Sequence, residues 1–205
     1  SSYEKVMRFR QLASWITGRL EASLGSPASL AAQVDEAALL AKADLDTQMV
    51  CEFAELQGVM GREYALLEGR DPIVAKAIYE HYLPTGAGGE LPESDAGAIV
   101  SIADKMDTIC GFFSVGLIPT GTADPYALRR QALGVINIIL RKGYALRLDA
   151  LIDESLAVLG ELLKRPAAEV RDDIREFFRG RFENQLISQG HPYDVVDAVL
   201  ATGIR

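Results

Sequence analysis

Apolar residues return every three or four positions along most of this chain, and no run of five or more alternates cleanly between apolar and polar. That period belongs to helices, not strands, so the sequence predicts an all-α protein. Val6, Phe9, Leu12, Ala13, Ile16 and Leu20 mark the buried face of a helix over 3–24, broken by Gly25-Ser26-Pro27. Leu30, Val34, Ala37, Ala38 and Ala41 mark a second over 28–43, where alanines allow close helix approach. Thr47 or Asp46 can cap a third, with Val50, Phe53, Ala54 and Gln57 as its apolar side. On that pattern Phe53 is a core residue, and truncating it fully buried should cost about 3–5 kcal/mol.

The pattern continues over 59–68 to Gly69, and again from Asp71-Pro72, a cap followed by proline at the first helical position. Val74, Ala77, Ile78 and Tyr82 form that stripe. The segment 85–94, TGAGGELPES, is the plainest loop. Ile99, Ile102, Ala103, Met106 and Cys110 then predict a core helix, followed by a Gly-, Pro- and Thr-rich loop over 111–125. Asp124-Pro125 repeats the start signal for a helix over 125–141 that buries Leu128, Ala132, Val135, Ile136 and Ile139. Leu151, Leu156 and Leu159 mark 148–163. Composition changes at Arg165-Pro166, where a helix to about 188 places Val170, Ile174, Phe177, Phe178, Phe182 and Leu186 opposite a charged face. His191-Pro192 is a structural turn before a last helix over 193–201. A helical bundle over 1–149 and the first helices of a second unit over 150–205 are expected.

With 49% apolar residues in 205, a sizeable core can form. The net charge of −8 argues against a surface that is a nucleic-acid footprint throughout, but not against a local basic patch. Cys51 and Cys110 lack metal-type spacing and sit in apolar helical patterns, predicting buried free thiols in a reducing compartment. No cationic leader and no run of eighteen apolar residues occurs, so a soluble, cytoplasmic protein without membrane contact is expected. The chain opens on Ser1-Ser2 and is expected to be a piece of something longer.

Two acids invite a chemical reading. Asp44 in ALLAKAD and Asp104 in IVSIAD each follow a stripe of small apolar residues. A carboxylate there must be paired, hydrogen-bonded or bound to a metal. The plainer alternative is that each pairs with a neighbouring lysine, Lys42 or Lys105, or caps a turn. His81 in IYEHY could approach Asp44, or sit on a helix surface or behind the acids. Between Tyr126 and Arg147 stand Arg129, Arg130, Arg141, Lys142 and Arg147 with no acid. Such a bias suits RNA phosphates, or arginines bracing acidic helices. Gly116, Gly121, Thr120 and Thr122 shape the preceding loop. No Walker loop, GxSxG elbow or zinc spacing is present, and GAGG lacks the context of a dinucleotide fingerprint.

The order of acid, about sixty residues, then Ala-Asp resembles the HD-domain phosphohydrolases, in which two histidines and two aspartates bind a divalent metal. Asp44 matches the aspartate of the His-Asp doublet and Asp104 the distant one. The doublet's histidine position is Ala43, and the first helix has no histidine. Two carboxylates make a poor transition-metal site, so the likeness implies the fold with a vestigial site at Asp44, Asp104 and His81, without metal or catalysis.

A closer resemblance rests on KADLDTQMVCEFAELQGVMGREYA, VAKAIYEHYLP, IADKMDTICGFF and PTGTADPYALRRQALG, in that order across about 39–146. These are similar to the β-subunit family of bacterial glycyl-tRNA synthetases, and FFRGRFENQLISQGHPYDVVDAVLA is similar to the start of its anticodon-binding, DALR-like region. The resemblance implies a degenerate HD domain that handles glycine-specific tRNA. It implies as partners an α subunit, which uses ATP and Mg for the ligation, and the rest of the β subunit. Arg129 and Arg130 belong to a family motif, whereas Arg141, Lys142 and Arg147 rest on charge alone. A residual metal-dependent phosphohydrolase and a purely structural spacer are the alternatives.

Overall fold

The computed structural model describes residues 1–25, 28–121 and 123–201. Its order is α1 (Ser2–Leu24), α2 (Ala28–Leu40), α3 (Gln48–Glu52), α4 (Val59–Leu67), α5 (Pro72–Glu80), α6 (Asp95–Ser114), α7 (Leu128–Lys142), α8 (Leu148–Leu159), α9 (Ala167–Ser188) and α10 (Tyr193–Ala201). The protein is all-α, and short 3₁₀ turns at Ala43–Asp46, Ala54–Leu56 and Gly160–Leu162 join some of the helices.

Helix α6 is the axis. α1, α2, α5, α7, α8 and α9 all pack against it, so nearly every side of it is buried. Its sequence suits that place, because Ala96, Gly97, Ala98, Ile99, Val100, Ile102, Ala103, Met106 and Ile109 circle the helix instead of forming one stripe. The same burial traps Ser101, Asp104, Lys105 and Asp107 inside, and each polar group there needs a partner. Leu151, Ile152, Leu156, Leu159, Val170, Ile174 and Phe178 join the apolar cluster that starts at Val6, so the core runs without interruption from α1 into α9.

Local signals explain most helix ends. Ser1 and Glu4 form a capping box on α1. Thr47 caps α3 through Val50 N, and Asp71 caps α5 ahead of Pro72. Asp124-Pro125 behaves differently. Pro125 and Tyr126 make a turn, Ala127 takes φ 54°, and α7 begins only at Leu128. Asp124 still caps it, accepting from Leu128 N at 2.8 Å and Arg129 N at 2.9 Å. The 85–94 loop is pinned at its end by buried Glu80, which accepts from Glu93 N, Ser94 N and Ser94 Oγ.

Two further expectations fail. Helix α3 is only five residues long and stops at Glu52, so Phe53 faces outward at 46% exposure instead of entering the core. Cys51 is exposed for the same reason, while Cys110 is buried as expected. His81, left open between a helix surface and a place behind the acids, is fully buried, because it closes α5 directly against α6. Ser26, Pro27 and Thr122 lie outside the described residues.

Candidate functional site

Asp44 sits in the 3₁₀ turn after α2 and is buried. It pairs with neither expected lysine. Its Oδ2 accepts from Gly58 N at 2.6 Å and Gly61 N at 3.2 Å, the cap and third position of α4. The carboxylate therefore closes a helix N-terminus, where the helix dipole and free amides favour negative charge. Both glycines are required by closeness. A Cβ on Gly58, at φ 81°, would lie 2.6 Å from the Tyr82 ring, and one on Gly61 would lie 2.8 Å from Ile78 Cγ2.

Asp104 has a different shell. Lys42 Nζ donates to its Oδ2 at 2.8 Å. Lys5 Nζ lies 2.7 Å from Oδ1, an ion-pair distance off the hydrogen-bond direction. Burial pushes this carboxyl upward, but Lys42 and Lys5 outweigh it and hold it far below the usual carboxylate range. One turn on, Asp107 takes Arg8 Nε at 2.7 Å and Arg8 Nη2 at 3.0 Å, so α1 is bolted to α6 by charge as well as by its apolar face.

Lys42 also touches His81, whose Nε2 lies 2.9 Å from Nζ. The lysine only donates, so Nε2 accepts, and Nδ1 carries the proton that it gives to Ile78 O at 2.5 Å. Burial first, and Lys42 second, push the imidazole's pKa well below its ordinary value, so the ring is neutral. The Tyr82 ring covers Lys42 with its centroid 4.1 Å from Nζ. Lys105, one residue after Asp104, points elsewhere and donates to His81 O, Leu83 O and Ser101 Oγ at 3.2, 2.9 and 2.7 Å. Burial lowers its pKa to about 8.

The vestigial-site residues thus separate. His81 and Asp104 meet through Lys42, whereas Asp44 caps α4. Ala43, which the HD likeness aligns with a histidine, is exposed. Among the described residues, no group of three or more His, Cys, Asp or Glu side chains is placed to hold a metal. An open cleft of about 670 Å³ borders this cluster, with Lys5, Gln57, Tyr126 and Arg130 on its walls.

The basic stretch also divides. Arg129 donates to Gly121 O at 2.7 Å and Ala123 O at 3.2 Å, bracing its own loop. Lys142 is held by Asp95 at 2.8 Å and Glu93 O at 2.8 Å. Arg130, Arg141 and Arg147 are exposed and make no ion pair among the described residues. Arg130, Asn137 and Arg141 share one face of α7, being seven and four residues apart. Arg130 also lines a second cleft, of about 380 Å³, with Gly86, Gly88, Asn137, Arg181 and Asn184, and no carboxylate is among its lining residues. Arg181 of α9 was missed because its local sequence alternates charges, and only packing brings it to α7.

Comparison with known proteins agrees with this chain's motifs throughout its length. The family model described as glycyl-tRNA synthetase beta subunit matches residues 1–201. The glycine–tRNA ligase beta subunit of Syntrophus aciditrophicus is 70% identical over 99% of this chain and 29% of its own length. That of Syntrophotalea carbinolica is 61% identical over 100% of this chain and 29% of its own. The Geobacter metallireducens subunit is 60% identical over 99% and 29%. The chain thus spans less than a third of these relatives, and it belongs to the glycyl-tRNA synthetase beta-subunit family.

Proposed function

We propose that this chain is a tRNA-handling part of the β subunit of a glycine–tRNA ligase, acting in the cytoplasm without catalysing a step itself. Its family match over residues 1–201 carries the reading. In the whole enzyme, ATP and Mg would be used by the α subunit, and the remainder of the β subunit would be a further partner. Residues 1–149 would form an HD-like bundle, and 150–205 would open the DALR-like anticodon-binding region. The residual-hydrolase reading loses support from Lys42, whose ammonium stands between the imidazole and carboxylate that a metal would need.

The RNA backbone would lie along α7 and α9. Arg141 and Arg147 offer guanidinium groups without an ion pair among the described residues, Arg130 donates to Thr85 O at 3.5 Å and is otherwise exposed, and Arg181 lines with Arg130 a cleft that has no carboxylate among its described lining residues. Arginine forks suit phosphate oxygens there. Arg129 and Lys142 would act mainly by shaping that surface, since both are already bound to the protein.

The test is tRNA binding by the full-length β subunit with its α subunit, measured against salt. Arg130→Glu with Arg181→Glu should weaken binding about tenfold or more and shallow the salt slope by roughly 2, near 0.9 per lost duplex phosphate contact. Unchanged affinity and slope would leave this part as a spacer.

A further inference from the structure

Lys42 Nζ sits where an imidazole, a carboxylate and an aromatic face converge. Two atoms of the kinds that hold transition metals, an imidazole nitrogen and a carboxylate oxygen, converge on its Nζ at 2.9 and 2.8 Å. His81 is oriented as metal-binding histidines are, with the far ring nitrogen fixed on a backbone carbonyl. Its lone pair therefore points at the cluster whether or not Lys42 is present. The Tyr82 face completes the enclosure at 4.1 Å. Burial lowers the Lys42 pKa; Asp104, and more weakly Asp44, which is also buried with Oδ1 unpartnered among the described residues, oppose that fall and favour the ammonium.

We propose that Lys42 is a built-in cation, whose ammonium fills the place between His81 and Asp104 that a divalent ion would take and so keeps this cleft closed to metals. An ammonium has only donors and no exchangeable coordination position. It can satisfy the imidazole and carboxylate but cannot bind a water and make it acidic, as a metal ion does. The charge is tethered to the chain, so chelators cannot remove it. The inference concerns this cleft alone and does not depend on where RNA binds.

Lys42→Ala in the full-length subunit tests this, with Co²⁺ as the probe because its visible absorption reports its ligands. The wild type should show no His81-dependent Co²⁺ spectrum. The variant should take up one Co²⁺ per chain, about tenfold tighter or more than the wild type, and its melting temperature should rise with Co²⁺ concentration. Adding His81→Ala should abolish both effects. If Lys42→Ala is unfolded by far-ultraviolet circular dichroism, recovery of the native spectrum on adding Co²⁺ also supports the inference. A His81-dependent Co²⁺ spectrum in the wild type overturns it. So does a Lys42→Ala protein, folded or unfolded, that Co²⁺ neither binds nor restores.

Discussion

Asp44 and Asp104 each follow a mostly apolar run ending in Ala-Asp and are both buried, yet the protein neutralises them by unlike means. Asp44 uses backbone, the two glycine amides at the start of α4. Asp104 uses side chains, the ammonium groups of Lys42 and Lys5. Neutral dipoles hold the first carboxylate without burying a second charge. The second belongs to a network of formal charges that share one another's desolvation cost, so removing any member strands another. Similar sequence motifs therefore support unlike electrostatic roles: Asp44 shapes a turn, and Asp104 anchors a charged cluster beneath an open cleft.

The same substitution at both acids should separate these roles most sharply. Asp104→Asn leaves Lys42 buried without its counter-charge and should cost about 3–5 kcal/mol in urea unfolding. Asp44→Asn retains a carbonyl oxygen that can accept from Gly58 N and Gly61 N, and should cost about 1 kcal/mol. Equal losses would mean that the backbone and lysine shells are energetically the same, and the contrast would fail.

The two lysines flanking this cluster extend the contrast. Lys42 has a carboxylate on it, whereas the hydrogen bonds of Lys105 all go to uncharged oxygens. Burial lowers Lys105 to about 8, beneath its unfolded value of about 10.4. Between those values the unfolded chain holds a proton that the folded one has released, so stability rises with pH. The gain from pH 7.5 to 10 should be at most about 3 kcal/mol at roughly 1.4 per pKa unit. Urea midpoints at the two pH values should show a smaller rise in Lys105→Met. The same rise in wild type and variant would assign it to other groups.

The legible parts of this protein were those written in local spacing. The stripes of α1, α2, α5 and α6 and the caps at Thr47 and Asp71 follow from residues within a few positions of each other. The family was legible because its motifs are long and ordered. The partners of the acids were not. Lys42 and Asp104 are 62 residues apart, and Lys105, adjacent in sequence to Asp104, turns to another set of acceptors because successive helical side chains diverge by about 100°. His81 stood open between a helix surface and a place behind the acids, and only the docking of α5 on α6 buries it. Arg181 was hidden for a like reason, since no pattern within α9 indicates that it faces α7.

Phe53 gives the mildest test, and it separates pattern from packing. It lies between the two halves of the Asp44 motif, after the acid and before the glycines that bind it. Helical spacing assigns it to the same face as Val50, but α3 ends at Glu52, and the backbone at Phe53 turns to φ −125°, ψ 78°. The ring is left 46% exposed while Val50 remains buried. Phe53→Ala should therefore cost below about 1 kcal/mol, in place of the 3–5 kcal/mol expected of a fully buried phenylalanine. A loss in the larger range, measured by the same urea unfolding, would mean that the chain between Asp44 and Gly58 packs inward. The backbone shell of Asp44 would then draw on side-chain burial as well, as the Asp104 cluster does.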